Sequence, residues 1–222
     1  MSAGEFSDLP ERLAALRDRI ERIERPSSHD VRIVAVTKGF DRRAVEAATA
    51  AQCTAIGENY AQEILSKREA LARSGADVHF IGHLQSNKVR QLVDLVSVWS
   101  TVDRASLVDE LAKRSPGATI RLQVNLTHEP QKAGCEPERL AGLLDRATDR
   151  GLRVEGLMTI GPTGADPEAA RPVFAALRRL VDEYRLTECS MGMTADLAVA
   201  VEEGATEVRV GTALFGPRPP RG

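Results

Sequence analysis

The sequence predicts a (β/α)8 TIM barrel with one additional N-terminal helix. Three observations predict it. Short apolar runs and amphipathic stretches alternate about eight times along the 222 residues. Polar residues with chemical character stand just past the end of nearly every apolar run. No stretch has the composition of a linker, so residues 1–222 read as a single barrel domain. The alternation leaves an open doubly wound sheet as the other topology.

In Asp8-Leu-Pro-Glu11 the chain offers an N-cap, an early proline and a capping-box acid. Leu9, Leu13, Leu16, Ile20 and Ile23 then recur every three or four residues, which predicts a helix that stops at Pro26. The run Arg32-Ile-Val-Ala-Val-Thr-Lys38 is short, rich in Val and Ile and followed by Gly39, as a buried parallel strand should be. Further strands are expected near 54–58, 77–82, 96–102, 119–125, 153–159, 187–191 and 207–211, the seventh on the weakest cues because of Glu188 and Cys189. Helices are expected near 42–51, 60–73, 87–94, 104–114, 137–149, 167–184 and 195–203. Asp41, Ser86, Asp103 and Thr194 stand where N-caps belong, and Asn59-Tyr-Ala-Gln62 resembles a capping box. The tail, about 217–222 and rich in proline, reads as disordered.

A net charge of -2 supplies no basic surface for nucleic acid. The three cysteines, Cys53, Cys135 and Cys189, lie far apart, so neither a zinc site nor a disulfide framework is expected, and a reducing cytoplasm fits. The N-terminus shows no basic region leading into an apolar stretch, and no run of 18 apolar residues occurs, so no membrane partner is expected. The expected partners are small molecules and the expected state is a monomer.

In a barrel, one rim would gather Lys38, Glu58, Asn59, His83, Gln85, Asp103, Asn125, Met158, Thr159, Ser190, Arg209, Gly211 and Thr212. The competing reading of each is a helix cap, or for Lys38 a side chain reaching to water. Their convergence favours a site for a polar, anionic ligand. Ser190-Met-Gly-Met-Thr-Ala-Asp196 and Val208-Arg-Val-Gly-Thr-Ala-Leu-Phe-Gly216 leave the seventh and eighth strands, where barrels commonly hold phosphate, and glycine there lets backbone N–H groups approach an oxyanion. A lysine facing such a cradle implies a phosphate-bearing aldehyde held as a Schiff base, and pyridoxal 5'-phosphate (PLP) is the candidate. His79 and His83 are four apart but lie on a strand and its end, where they are not brought side by side as they would be on a helix, so no metal is expected.

Seven motifs in order carry a family resemblance: Val36-Thr-Lys38, Ile56-Gly-Glu-Asn-Tyr-Ala-Gln-Glu63, His79-Phe-Ile-Gly-His-Leu-Gln-Ser-Asn-Lys88, Gln123-Val-Asn125, Gly156-Leu-Met-Thr-Ile160, Ser190-Met-Gly-Met-Thr-Ala-Asp196 and the segment 208–216. From about residue 9 to residue 218 the chain resembles the pyridoxal phosphate homeostasis proteins. The resemblance implies a fold-type III PLP barrel like the N-terminal domain of alanine racemase, buffering or delivering PLP to apo PLP-dependent enzymes, with no robust turnover and no catalytic residue. It makes Lys38 the Schiff-base lysine, places Ser190, Met191, Gly211 and Thr212 on the phosphate, sets Arg209 near the pyridine nitrogen, and lines the pocket with Asn59 and His83. Lys132 matches a loop suggested to pass PLP along. Cys189 and Thr194 depart from the residues usual at those positions, Leu and Ser, which touches only the start of the following helix. The alternative is a PLP-dependent racemase, which would want a second acid or base opposite Lys38 and a closing β-domain; a chain that stops at the barrel points to the carrier.

Overall fold

A computed structural model describes residues 6–26, 30–164 and 166–218. Residues 219–222 of the expected tail lie outside the described residues. After α1 (Leu9–Glu21) come β1 (Arg32–Val36), α2 (Arg42–Ala50), β2 (Ala55–Glu58), α3 (Ala61–Ser66), α4 (Arg68–Ser74), β3 (Asp77–Phe80) and α5 (Val89–Leu92). They are followed by β4 (Val98–Val102), α6 (Ala105–Arg114), β5 (Thr119–Gln123), α7 (Pro137–Asp149), β6 (Arg153–Met158), α8 (Arg171–Glu183), β7 (Glu188–Ser190), α9 (Leu197–Glu202), β8 (Glu207–Val210) and α10 (Thr212–Phe215). The eight strands are parallel and close in chain order, with β1 paired to both β2 and β8. The barrel is closed, and the open sheet is excluded.

Local chemistry accounts for the differences from expectation. Helix 60–73 is interrupted at Lys67, whose ammonium is drawn inward to Glu58. The start of 167–184 is a 3-10 turn capped by Asp166, and α8 follows with Pro172 in its first turn, where a missing N–H costs nothing. Of the proposed caps only Asp41 closes its helix, accepting the Arg43 N–H at 2.9 Å. Asn59 is not a cap, since α3 starts after Tyr60; Arg104, not Asp103, precedes α6; and Asp196, not Thr194, precedes α9.

The strands' two faces divide the molecule. Ala35, Ile56, Phe80, Trp99, Leu122, Leu157, Cys189 and Val208 point outward and join the helices' buried leucines in one apolar layer. The other face fills the barrel with a buried polar network. Arg121 reaches across from β5 to β8, donating to Glu207 Oε1 at 2.6 Å. Ser190 also donates to Glu207, at 2.8 Å, and accepts from Arg209 at 2.8 Å. Near β2 the interior has no room for a side chain: a Cβ on Gly57 would meet Val34 Cγ1 at 2.8 Å.

His79 is fully buried in this network, with Nδ1 3.2 Å from Arg121 and 3.5 Å from Glu207. Burial keeps the imidazole neutral, so the contact with Glu207 is not an ion pair. Burial, helped by Arg121 and opposed by Glu207, holds the His79 pKa near about 4. Unfolded, the imidazole titrates near about 6.5. The unfolded chain thus binds the extra proton first as pH falls, and stability should drop by roughly 3 kcal/mol between pH ~6.5 and ~4. Urea unfolding across that window should show the drop, and a His79→Asn chain should show a shallower one. Equal slopes would contradict the assignment.

Candidate functional site

The described rim of the barrel is asymmetric. Lys38 lies two residues past β1, half-buried, and its Nζ meets no acceptor among the described residues. Burial, then the cations of Arg218 and Arg209, lower its pKa, while Glu63 and Glu58 pull the other way. A lysine with a weakened hold on its proton is the form of the side chain that can act as an amine nucleophile.

Arg209 enters from β8, buried, and spans two elements: one terminal nitrogen donates to Ser190 Oγ and the other to the Thr159 carbonyl, each at 2.8 Å. A guanidinium carries five N–H groups, so donors remain beyond these two bonds. Past β8, the chain turns at Gly211 into α10. The carbonyl of Gly211 accepts from Leu214 and Phe215, while the N–H groups of Gly211 and Thr212 find no acceptor among the described residues. Gly192, after β7, has φ +88°, and a Cβ there would lie 2.4 Å from that of Ala200, so no other residue fits the turn.

The structure gathers Lys38, Arg209, Gly211 and Thr212 at the β1/β8 side of the mouth. Ser190 and Met191 sit lower. The Ser190 hydroxyl donates to Glu207, and the Met191 N–H donates to the Glu207 carbonyl at 3.1 Å while its side chain packs among the helices. Asn59 and His83 border a cavity of about 550 Å³ on the other side, shared with Gln123 and Lys132. Asn59 Oδ1 is buried without a hydrogen-bond partner, and the Asn59 carbonyl lies where a Cβ on Gly82 would have to go. Lys132 donates to Glu129 at 2.5 Å and to the Gly161 carbonyl at 2.6 Å, tying the loop after β5 to the loop after β6. A larger cavity, about 700 Å³, lies at the opposite, amino-terminal ends of the strands, where Arg32 and Arg178 are interleaved with Asp30, Asp182 and Glu188. Barrel chemistry belongs to the carboxyl end, and the lysine is there.

Three residues that matter at the site carried no sequence signal. Arg121 and Glu207 fix Ser190 and Arg209 from below, and Lys67 stands behind Lys38. Among the described residues there is no cluster fit for a metal ion. No described helix is long and apolar enough to cross a membrane.

The eight parallel strands, closed in chain order with helices between them, define a (β/α)8 barrel. The family model for the N-terminal domain of alanine racemase matches residues 12–219. The chain is 38% identical over 223 residues, 96% of its own length and 97% of the other, to the pyridoxal phosphate homeostasis protein of Pseudomonas aeruginosa. It is 44% identical over 173 residues, 73% of this chain and 76% of the other, to the protein of the same name from Aquifex aeolicus. Among solved structures, PipY of Synechococcus elongatus with PLP bound superposes with a TM-score of 0.82 at 35% identity, covering 94% of this chain and all of that one. The chain belongs to the pyridoxal phosphate homeostasis protein family, within the alanine racemase N-terminal domain family.

Proposed function

We propose that this chain binds PLP through a Schiff base on Lys38 and serves PLP homeostasis by holding and releasing the cofactor, without robust turnover of its own. The observation that carries the reading is Lys38 itself, a half-buried amine with a lowered pKa and no acceptor among the described residues. The surroundings fit an anionic, planar aldehyde: N–H groups of Gly211 and Thr212 are open to a phosphate, Arg209 keeps donors in reserve, and Asn59 Oδ1 lacks a partner. When bound, PLP supplies an aldehyde that condenses reversibly with an amine.

In this reading Gly211 and Thr212 hold the phosphate directly. Ser190 and Met191 support it from beneath through Arg209 and Glu207, and Asn59 and His83 border the open side. Arg209, set against the pyridine nitrogen, opposes protonation there and weakens the electron sink that amino-acid chemistry needs. That argues for storage, but alanine racemase, whose N-terminal domain family this chain matches, also pairs this nitrogen with arginine, so Arg209 alone does not decide against the racemase alternative. The chain is taken as one barrel domain and a monomer of the cytoplasm, with apo PLP-dependent enzymes as recipients and no nucleic-acid or membrane partner.

Free pyridoxal should bind at least about a hundredfold more weakly than PLP, because two charge-assisted hydrogen bonds of roughly 1.5–3 kcal/mol each are lost with the phosphate. Equal affinities in a titration would remove the phosphate cradle. The carrier reading itself is tested by mixing the loaded chain with an apo PLP enzyme and, separately, with L-alanine. The expected outcome is recovery of the recipient's activity and no racemisation above a Lys38→Ala control. Lys38-dependent racemisation at about 1 s⁻¹ or faster, the range of ordinary enzymes, would install the racemase instead.

A further inference from the structure

We propose that a buried ionic cluster of Lys67, Glu58 and Glu63 positions Lys38 by gripping the backbone on both of its flanks. The proposal rests on the reading of Lys38 as the reactive amine. Lys67 Nζ donates to the Thr37 carbonyl at 2.8 Å, to Glu58 Oε1 at 2.7 Å and to Glu63 Oε2 at 3.3 Å. Glu58 Oε1 also accepts the Thr37 hydroxyl at 2.6 Å, and Glu63 Oε2 accepts the Gly39 N–H at 2.8 Å. The peptide groups before and after Lys38 are therefore tied to one cluster. The side chains of Lys67 and Glu58 are 2% and 0% exposed, so neither charge is tolerable there without the other.

A surface Glu–Lys pair at i, i+4 would do none of this. Strand alternation turns Glu58 away from the barrel interior and toward α3, and the helix breaks at Lys67 to meet it. The arrangement has an electrostatic consequence. Glu63 and Glu58 favour the charged form of Lys38, against burial and the cations of Arg218 and Arg209. Lys67, placed on both carboxylates, offsets part of their pull. The cluster thereby fixes where the amine stands and helps to set how readily it gives up its proton.

The test is the pH profile of Lys38 acetylation by trace acetic anhydride, read by peptide mass in the full chain freed of PLP. Lys67→Met should move the midpoint of Lys38 labelling up, because half-buried Glu63 is left uncompensated while buried Glu58, without its partner, takes up a proton. Glu63→Gln, which keeps an oxygen for the Gly39 N–H but removes a charge, should move it down. Opposite shifts support the cluster. A profile that stays at the wild-type midpoint in the folded variants overturns it and leaves Lys67 a merely structural residue. Should Lys67→Met fail to fold, half-buried Glu63 decides the matter alone: a downward shift supports, and no shift or an upward one overturns. Because no PLP is present, a failure of Lys38 to take the cofactor would leave this measurement intact, and the two readings fail separately.

Discussion

Lys38→Ala is expected to abolish the visible absorption of bound PLP while leaving the barrel folded. Both halves follow from where the lysine stands. It lies beyond the last residue of β1, is half-buried, and makes no hydrogen bond among the described residues, so its removal takes little from the core. Unfolding in urea should change by no more than about 1 kcal/mol. Binding should change far more, since the covalent link is gone and the remaining phosphate contacts act alone. An absorption titration with PLP should show no imine band and a much weakened, purely non-covalent affinity. A Lys38→Ala chain that kept the band at full strength would assign the Schiff base to another amine.

The second large effect belongs to the barrel interior. Glu207→Ala should cost about 3–5 kcal/mol of stability, because it leaves buried Arg121 with only the longer contact to Glu188, at 3.6 Å, and takes the acceptor from the Ser190 hydroxyl. Arg121 and Glu207 are both 0% exposed, and burial alone would push the Glu207 carboxyl up. The pull of the Arg121 cation, the Ser190 hydroxyl and Arg209 brings it below the usual range instead. By linkage, a carboxylate lowered in the folded state stabilises above its unfolded pKa, and that stability is lost as the pH falls through the folded value. Joining Glu207→Ala to Arg121→Met should recover much of the loss, since the stranded charge disappears with its partner. Urea unfolding of the two single variants and the double variant measures this directly. Additive losses in the double variant would show that the two residues do not act as a pair.

The same residues explain what the sequence could and could not tell. The strand–helix alternation located all eight strands, including Glu188–Ser190 despite its poor local cues, because the spacing of the barrel leaves no other place for it. The positions of Lys38, Arg209 and the Gly211 turn followed from strand ends alone. Arg121 did not, since in Thr119-Ile-Arg-Leu-Gln123 it is one of three polar residues alternating with Ile120 and Leu122, a pattern that equally suits a solvent-facing strand face, and its partner Glu207 is 86 positions away. Lys67 resembles any solvated i, i+4 partner of Glu63. Glu58 was grouped with the rim, although period-two alternation from Gly57, which faces Val34 inside the barrel, turns it to the outer layer. The caps misled for a related reason: Asp103 and Asn59 have capping chemistry, but the helices start one or two residues later, at Ala105 and Ala61.

Lys38 is the residue expected to carry the cofactor. Reducing the PLP-loaded wild-type chain with borohydride makes the link permanent, and peptide mapping then identifies the lysine that bears it. The expected product is one phosphopyridoxyl group per chain on the peptide containing Lys38. A group on Lys132 or any other lysine, or a chain that carries none after reduction, would contradict it.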